Sequence, residues 1–204
     1  MPASVLSLKL PSAPQATPLV EQLPVGRLIE IASGPAGAQM TTAVACLRQA
    51  QAQGETAAWV QRAGGSLYPP DLADSGIDLD ALLIVNVPLS AGAYGSAKAA
   101  ELLLRSGGFG MVVMDLLHVP LQSDTAWQGR LLGLAREHHS WLLLLSDGST
   151  HAGSLGPLVS LCLEPQRRRV ERGQFSIEHR VRKDKSGLLC ALAKEQRRGP
   201  WGLL

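Results

Sequence analysis

The segment GPAGAQMT at residues 34–41 has the length of a phosphate-binding loop, but the residues that would hold a phosphate are changed. A working loop follows the pattern G-x-x-x-x-G-K-[ST], in which backbone amides and a lysine bind the phosphates and a hydroxyl binds magnesium. Gly34 and Thr41 fit this pattern, whereas Gln39 replaces the second glycine and Met40 replaces the lysine. Methionine carries no charge, and glutamine adds a Cβ where the backbone must approach closely. We therefore expect a vestigial nucleotide loop, kept as architecture without a phosphate.

A second set of residues with binding chemistry lies in the C-terminal part of the chain. Residues 164–204 carry 11 Lys and Arg against 5 Asp and Glu, whereas residues 1–163 carry 8 against 12. Such a cluster either contacts nucleic-acid phosphates or forms a solvated face. Its aromatic residues are Phe175 and Trp201, too few for base reading, so any nucleic-acid contact is expected to be with the backbone. The candidate DNA-binding residues are Arg167, Arg168, Arg169, Arg172, Arg180, Arg182, Lys183, Lys185, Arg197 and Arg198.

The last residues, GPWGLL, follow this basic cluster with apolar side chains. Trp and Leu at a chain end can anchor a partner groove or fold back on their own domain, and the sequence leaves both open. The candidate partner-binding residues are Trp201, Leu203 and Leu204.

The composition indicates a folded chain with a single core. Of the 204 residues, 46% are apolar and 18% are charged, which excludes a wholly disordered protein. The three cysteines are widely spaced and His138-His139 has no partner at ligand spacing, so neither a disulfide framework nor a metal site is predicted. The apolar run at residues 141–145 is too short to cross a bilayer, and the Pro-rich start lacks signal-peptide features. A cytoplasmic protein without a membrane partner is expected.

Hydrophobic periodicity predicts strands that alternate with helices. Apolar runs indicate strands at about residues 27–32, 56–61, 81–85, 109–114 and 141–145. Helical patterns lie at about residues 40–53, 91–105 and 124–139, with Asp124 as a candidate N-cap. Strand-helix-strand order implies parallel pairing in a three-layer α/β fold. After Gly156, runs at residues 158–164 and 175–183 have no helix between them, which predicts antiparallel strands at the sheet edge.

Four phrases resemble the ATPase core of RecA recombinases, in the same order and with similar spacing. They are LPVGRLIEI at residues 23–31, GPAGAQMTT at 34–42, GIDLDALL at 76–83 and RSGGFGMVVMD at 105–115. The resemblance implies a RecA-like three-layer α/β/α core domain over residues 23–185, with a mostly parallel central sheet and antiparallel C-terminal edge strands. Residues 1–22 are then a flexible or extended N-terminal arm, and residues 186–204 a basic C-terminal tail.

The degenerate Walker A loop and the phrase GSLGPLVSLCLEP at residues 153–165 are most similar to the ImuA family. Members of this family are RecA-like accessory proteins of a bacterial mutagenesis cassette that acts in SOS-induced, error-prone translesion DNA synthesis. The resemblance implies an ImuB-like Y-family polymerase homologue, an error-prone DnaE-type polymerase and RecA as partners. It also implies contact with DNA, single-stranded DNA in particular. A protein of this kind would bridge or modulate the other components.

The same resemblance implies roles for two further positions. Asp115, at the end of an apolar strand, matches the acid with which RecA-like ATPases organise magnesium. The region that carries a water-activating glutamate in RecA reads QRAGG at residues 61–65, without a carboxylate. The phosphate cation, the close-approach glycine and the general base are therefore all missing. We expect no hydrolysis, no catalytic residue and no bound cofactor.

Two alternatives stay open. The chain also resembles SulA, a cell-division inhibitor of the same RecA-derived group. A SulA-like role would mean binding to FtsZ without any need for the basic segment, so deleting residues 166–204 would separate the two hypotheses. The other alternative is a residual ATPase in which Arg62 or Lys98 replaces the missing lysine.

Overall fold

One eight-stranded sheet runs through the described part of the chain, which in this computed structural model comprises residues 19–65, 67–120, 126–148, 154–185, 187 and 195–198. The strands are β1 (Leu28–Ala32), β2 (Ala57–Arg62), β3 (Leu82–Val87), β4 (Met111–Asp115), β5 (Trp141–Ser146), β6 (Val159–Glu171), β7 (Gln174–Asp184) and β8 (Glu195–Arg198). The helices are α1 (Leu19–Gln22), α2 (Gln39–Ala52), α3 (Pro69–Asp74), α4 (Gly92–Ser106) and α5 (Ala126–Glu137), with a 3-10 turn at Leu89–Ala91.

Strand order and direction determine the edge at which a site can form. The order is β3-β2-β4-β5-β1-β6-β7-β8, parallel from β3 to β6 and antiparallel from β6 to β8. β1 therefore lies between β5 and β6. Because parallel strands end at one edge of a sheet, the turns after β1, β4 and β5 lie side by side there. This is the edge at which open α/β sheets bind ligands.

Two apolar layers cover the sheet. α2 lies over one face, called here the α2 face, where Leu47 packs in a cluster with Ile31, Trp59 and Leu143. α4 and α5 lie over the opposite face, called here the α4 face, where Leu104 belongs to a second cluster. β1, β4 and β5 are buried along their whole length, as expected for parallel strands covered on both sides.

The structure confirms the predicted α/β architecture with its mostly parallel sheet. Every predicted element of the parallel part is present, with its ends within two residues of those expected. β6 and β7 are longer than predicted because they form a hairpin in which strand pairing continues past the buried core. β6 is also parallel to β1, so the antiparallel part begins with the β6–β7 pair.

Three elements were not predicted. α3 lies in a turn-rich segment, where a proline at Pro69 suits the first helical position because its fixed φ matches the helix and its missing N–H needs no partner. α1 belongs to the stretch predicted as an arm, yet its Leu19 is 6% exposed and packs in the α2-face cluster. β8 pairs with β7 beyond residue 185, the predicted end of the core. Residues 1–18 and Asp124 lie outside the described residues.

Two further features of the described residues are the length of the helices and the state of the cysteines. α4 has 15 residues, and no helix among the residues that the structure describes is long and apolar enough to span a bilayer. Cys46 and Cys162 are free and buried, where a thiol packs as a small apolar side chain. Cys190 lies outside the described residues.

Candidate functional site

The loop after β1, at residues 33–38, is bonded to the strands on both sides of it. The Ser33 N–H donates to the Ser146 carbonyl of β5 at 2.8 Å. On the other side, the Arg167 N–H of β6 donates to the Ala36 carbonyl at 3.0 Å, and Gly37 forms an antiparallel bridge with β6. The sheet itself therefore fixes the course of this loop.

Gly34 lies against a buried carboxylate. A Cβ atom at this position would lie 2.9 Å from both Cγ and Oε1 of Glu164, closer than such atoms normally approach. Glu164 is 6% exposed. Its Oε2 lies 3.1 Å from Arg182 Nη1, and its Oε1 accepts a hydrogen bond from Gln166 Nε2 at 3.0 Å. Packing against Glu164 is thus a sufficient reason for glycine at position 34, without any phosphate.

Met40 occupies the position of the missing lysine, in the first turn of α2. It is partly buried and packs against the α2-face cluster. Together with Thr41 it lines a groove of about 590 Å³ between α2 and the segment around α3, where Tyr68 and Leu72 form part of the opposite wall. Met40 thus supplies apolar contact where a working loop has a positive charge.

Gln39 and the two threonines at the start of α2 differ in their burial and in their contacts. A Cβ at Gly37 would lie 2.6 Å from Gln39 Oε1, an atom that is buried and has no hydrogen-bond partner among the described residues. Thr41 is exposed, whereas Thr42 is 2% exposed and its hydroxyl lies 3.2 Å from His179 Nε2 of β7. The buried hydroxyl at this helix start is therefore one residue beyond the position that the pattern selects.

Asp115 ends β4 at the same edge of the sheet. β5 separates β4 from β1, so Asp115 and the start of the loop are about two strand spacings, or about 10 Å, apart. Burial raises the pKa of Asp115, which is 6% exposed, while the hydrogen bond from the Leu117 N–H at 3.0 Å and the charge of Arg62 act in the opposite direction. The acid lies on the correct edge for a metal, but it already has a backbone donor.

The region without a general base, residues 61–65, begins with a buried amide. Gln61 is 5% exposed, and its Nε2 donates to Asn86 Oδ1 at 3.0 Å. Its Oε1 is buried without a hydrogen-bond partner among the described residues. Of the two cations considered as substitutes for the lysine, Arg62 lies near Asp115, while Lys98 lies on α4 with its Nζ 3.4 Å from Glu101 Oε1.

A comparison with protein families agrees with the fold and with the position of this loop. Residues 13–129, more than half of the chain, match the RecA N-terminal domain family. The chain belongs to this family. Within this RecA-family domain the loop after β1 is in the expected place, Met40 packs against the core at the cation position, and Gln61 Nε2 has a partner in Asn86.

The β6–β7 hairpin of the RecA-family domain divides the candidate DNA-binding residues between the two faces of the sheet. Residues directly opposite each other in an antiparallel pair share a face. Arg167 and Arg169 lie opposite Ile177 and Phe175, on the α2 face. Arg168, opposite Ser176, lies on the α4 face. The sequence pattern grouped these cations together, because it contains no information about which face each one joins.

The remaining positions fall on β7, on β8 and at the hairpin turn. Arg180 is exposed and lies opposite Glu164 on the α4 face. Arg172 lies in the turn between β6 and β7, and Arg197 and Arg198 lie opposite Phe175 and Gln174. Trp201, Leu203 and Leu204 are outside the described residues.

Several of the predicted DNA-binding cations have partners within the chain, and Arg169 Nε donates to the Glu171 carbonyl at 3.4 Å. Arg182 pairs with Glu164, as described above. Lys183 Nζ donates to Ser154 Oγ at 2.9 Å and to the Gly156 carbonyl at 2.8 Å. Lys185 Nζ donates to the Pro157 carbonyl. Desolvation, followed by the charge of Lys185, lowers the pKa of Lys183. The contacts of the two lysines hold the segment that leads from β5 to β6.

A buried carboxylate that sequence analysis did not single out supports the same segment. Glu30, in the middle of β1, is fully buried. Its Oε1 accepts from Ser146 Oγ at 2.6 Å and its Oε2 from the Leu155 N–H at 2.7 Å. Burial, followed by the charge of Glu30, raises the pKa of the Cys162 thiol to about 12. The signal in the sequence is an acid inside the apolar strand LIEIA, since buried acids require partners.

Proposed function

We propose that this chain is a non-hydrolysing RecA-like accessory protein of the ImuA type in SOS-induced translesion DNA synthesis. In this role it binds DNA through its basic C-terminal region. It bridges or modulates an ImuB-like polymerase homologue, an error-prone DnaE-type polymerase and RecA. The observation that carries the proposal is Met40, which packs against the apolar core at the cation position of a RecA-family loop.

Loss of the loop cation has a large electrostatic consequence. Two unit charges about 4 Å apart attract by about 4 kcal/mol at an effective dielectric constant of about 20. A triphosphate at this loop would lose an attraction of that order, and Gln39 would add bulk where the backbone must approach it. Residues 61–65 contain no carboxylate that could accept a proton from water, so the general base is missing as well.

Nucleotide binding and hydrolysis test the first half of the proposal. We expect the purified chain to release no phosphate from Mg·ATP above the buffer rate and to show no ATP-dependent rise in Tm. The double variant Q39G/M40K restores the loop pattern, so it should gain an ATP-dependent rise in Tm but still no hydrolysis, because residues 61–65 still lack a carboxylate. ATP turnover by the wild-type chain that is lost in D115N would favour the residual ATPase instead.

Genetics and co-purification test the second half. Deletion of the gene should abolish most of the mutagenesis induced by DNA damage, and the chain should co-purify with the ImuB-like protein. Co-purification with FtsZ, together with undiminished damage-induced mutagenesis in the deletion strain, would favour the SulA-like alternative.

The structure determines which DNA-binding variants are informative. Removing residues 166–204 would cut β6 in the middle and delete β7 and β8. It would also remove Arg182, the partner of the buried Glu164. Such a chain would lose its fold along with its cations. Substitution of exposed arginines on the hairpin therefore replaces truncation as the test of the basic region.

A further inference from the structure

The β6–β7 hairpin carries an aromatic ring that belongs to neither apolar cluster of the described residues. Phe175 is partly exposed, and the guanidinium of Arg167 lies 5.1 Å from the centre of its ring. Arg169 on β6 and Arg197 on β8 both lie directly opposite Phe175 in the strand register. One aromatic residue and three arginine positions thus share one face of the sheet, which is called here the Phe175 patch.

We propose that Phe175, held by Arg167, is a stacking platform for one unpaired nucleobase, with Arg169 beside it as the contact for an adjoining phosphate. The inference rests on the DNA contact proposed above and adds a preference for single strands. Every base has a π face, so such stacking tolerates any sequence. In a duplex the bases stack on one another inside the helix, and the ring gains no partner there.

The local charges favour a nucleic acid as the occupant. A guanidinium over an aromatic ring is attracted by its quadrupole, which orients the ring before a base arrives. The acidic residues closest in register are Glu171, near the hairpin turn, and Glu195, opposite Ile177. The three arginine positions around Phe175 outnumber them on the α2 face.

The opposite face of the same hairpin lacks this combination. There Arg168 lies opposite Ser176, and Arg180 lies opposite Glu164. Between these pairs, Glu178 of β7 faces Gln166. This face offers cations for phosphates, but no aromatic residue lies between them on the described part of β6 and β7. It therefore provides the matched control for the Phe175 patch.

The test compares binding of labelled oligo(dT) and of a duplex of equal length across a salt series. F175L keeps an apolar side chain but removes the ring. We expect it to weaken oligo(dT) binding about tenfold, to change duplex binding by less than about twofold, and to leave the salt slope of each unchanged, since no charge is lost. F175Y should restore oligo(dT) binding.

R168Q, on the opposite face, removes one charge and no ring, so it should weaken oligo(dT) and duplex by similar factors. Ultraviolet crosslinking of wild-type protein to oligo(dT) gives an independent readout, with Phe175 as the expected crosslinked residue. If F175L does not fold, this crosslinking experiment still tests whether a base contacts Phe175.

Two results would overturn the inference at different levels. Equal oligo(dT) binding by F175L and wild type, with crosslinks elsewhere, would remove the stacking platform and leave the proposed DNA contact intact. Failure of the wild-type chain to bind either oligo(dT) or duplex would remove both.

Discussion

The degenerate loop and the basic hairpin meet on β6, but charged side chains beside the loop bind partners within the chain, whereas several arginines of the hairpin face solvent. Beside the loop, Glu164 is bonded by Arg182 and Gln166, and Met40 packs against the core. On the hairpin, Arg168 and Arg180 are exposed to solvent. The buried acid beside the loop has its partners within the chain, whereas the hairpin presents charge that a ligand can use. The contacts of a motif's side chains are thus a better guide to its present role than the number of pattern residues that survive.

Removal of charge from the hairpin is the strongest way to break this comparison. The variant combines R167Q, R168Q and R169Q. It should bind single-stranded DNA about 100-fold more weakly at about 0.1 M salt. Each lost phosphate contact makes the plot of log K against log salt concentration less steep by about 0.7, and three such losses amount to about 100-fold between 1 M and 0.1 M salt. Fluorescence anisotropy over a salt series measures both quantities.

A control variant of equal net charge combines R27Q, R48Q and R136Q, which replace exposed arginines outside the hairpin. This control should bind within about threefold of wild type at the same ionic strength, since it removes no direct phosphate contact. Equal losses in the two triple variants would show that overall charge drives binding, and the contrast between hairpin and loop would fail.

The glycine of the loop tests whether internal packing has replaced the phosphate. Gly34→Ala places a Cβ 2.9 Å from Cγ and Oε1 of Glu164 and should destabilise the fold by about 1–3 kcal/mol, measured by urea unfolding. In the background of Glu164→Ala the same substitution should cost less. Gly133→Ala, in α5 with no atom near the added Cβ, should stabilise the fold by about 1 kcal/mol. A neutral Gly34→Ala would contradict the packing argument.

Lys183 and Arg180 separate supporting cations from binding cations. K183A removes the donors to Ser154 and Gly156 and should lower the free energy of unfolding by about 1 kcal/mol, or the Tm by about 2–4 °C, without changing the DNA salt slope. R180A should change the free energy of unfolding by less than about 0.5 kcal/mol and should make the salt dependence of DNA binding less steep by about 0.7. The reverse pattern would mean that the two roles are exchanged.

The smallest effect is expected at Asp115 and depends on pH. Burial raises its pKa in the folded state, so its contribution to stability is largest below the unfolded pKa and is lost as the pH rises through the folded one. D115N still accepts the Leu117 N–H but cannot ionise. Its Tm should therefore exceed that of wild type at pH 7, and the gain should vanish towards about pH 4. A lower Tm at pH 7 would mean that the charge of Arg62 outweighs burial.

Much of the fold was predictable because its signals are local. Apolar runs such as residues 141–145 need burial on both faces whatever their neighbours, and the alternation with helices implies parallel pairing. α3 escaped prediction because its six residues give little periodicity beside two prolines. The length of the hairpin was underestimated because β6 from Arg167 onward is polar and gains its strand conformation from pairing with β7.

The sequence by itself determined the fold class and the chemical losses in the loop, since a methionine has no charge in any structure. Tertiary structure alone decided which cations are available: Arg182, Lys183 and Lys185 turn to internal partners, while Arg167 lies on Phe175. A charge has the same sequence signature whether it faces a carbonyl, a carboxylate or water. Only the strand register, with its bulge between Cys162 and Leu163, determines which of these each side chain meets.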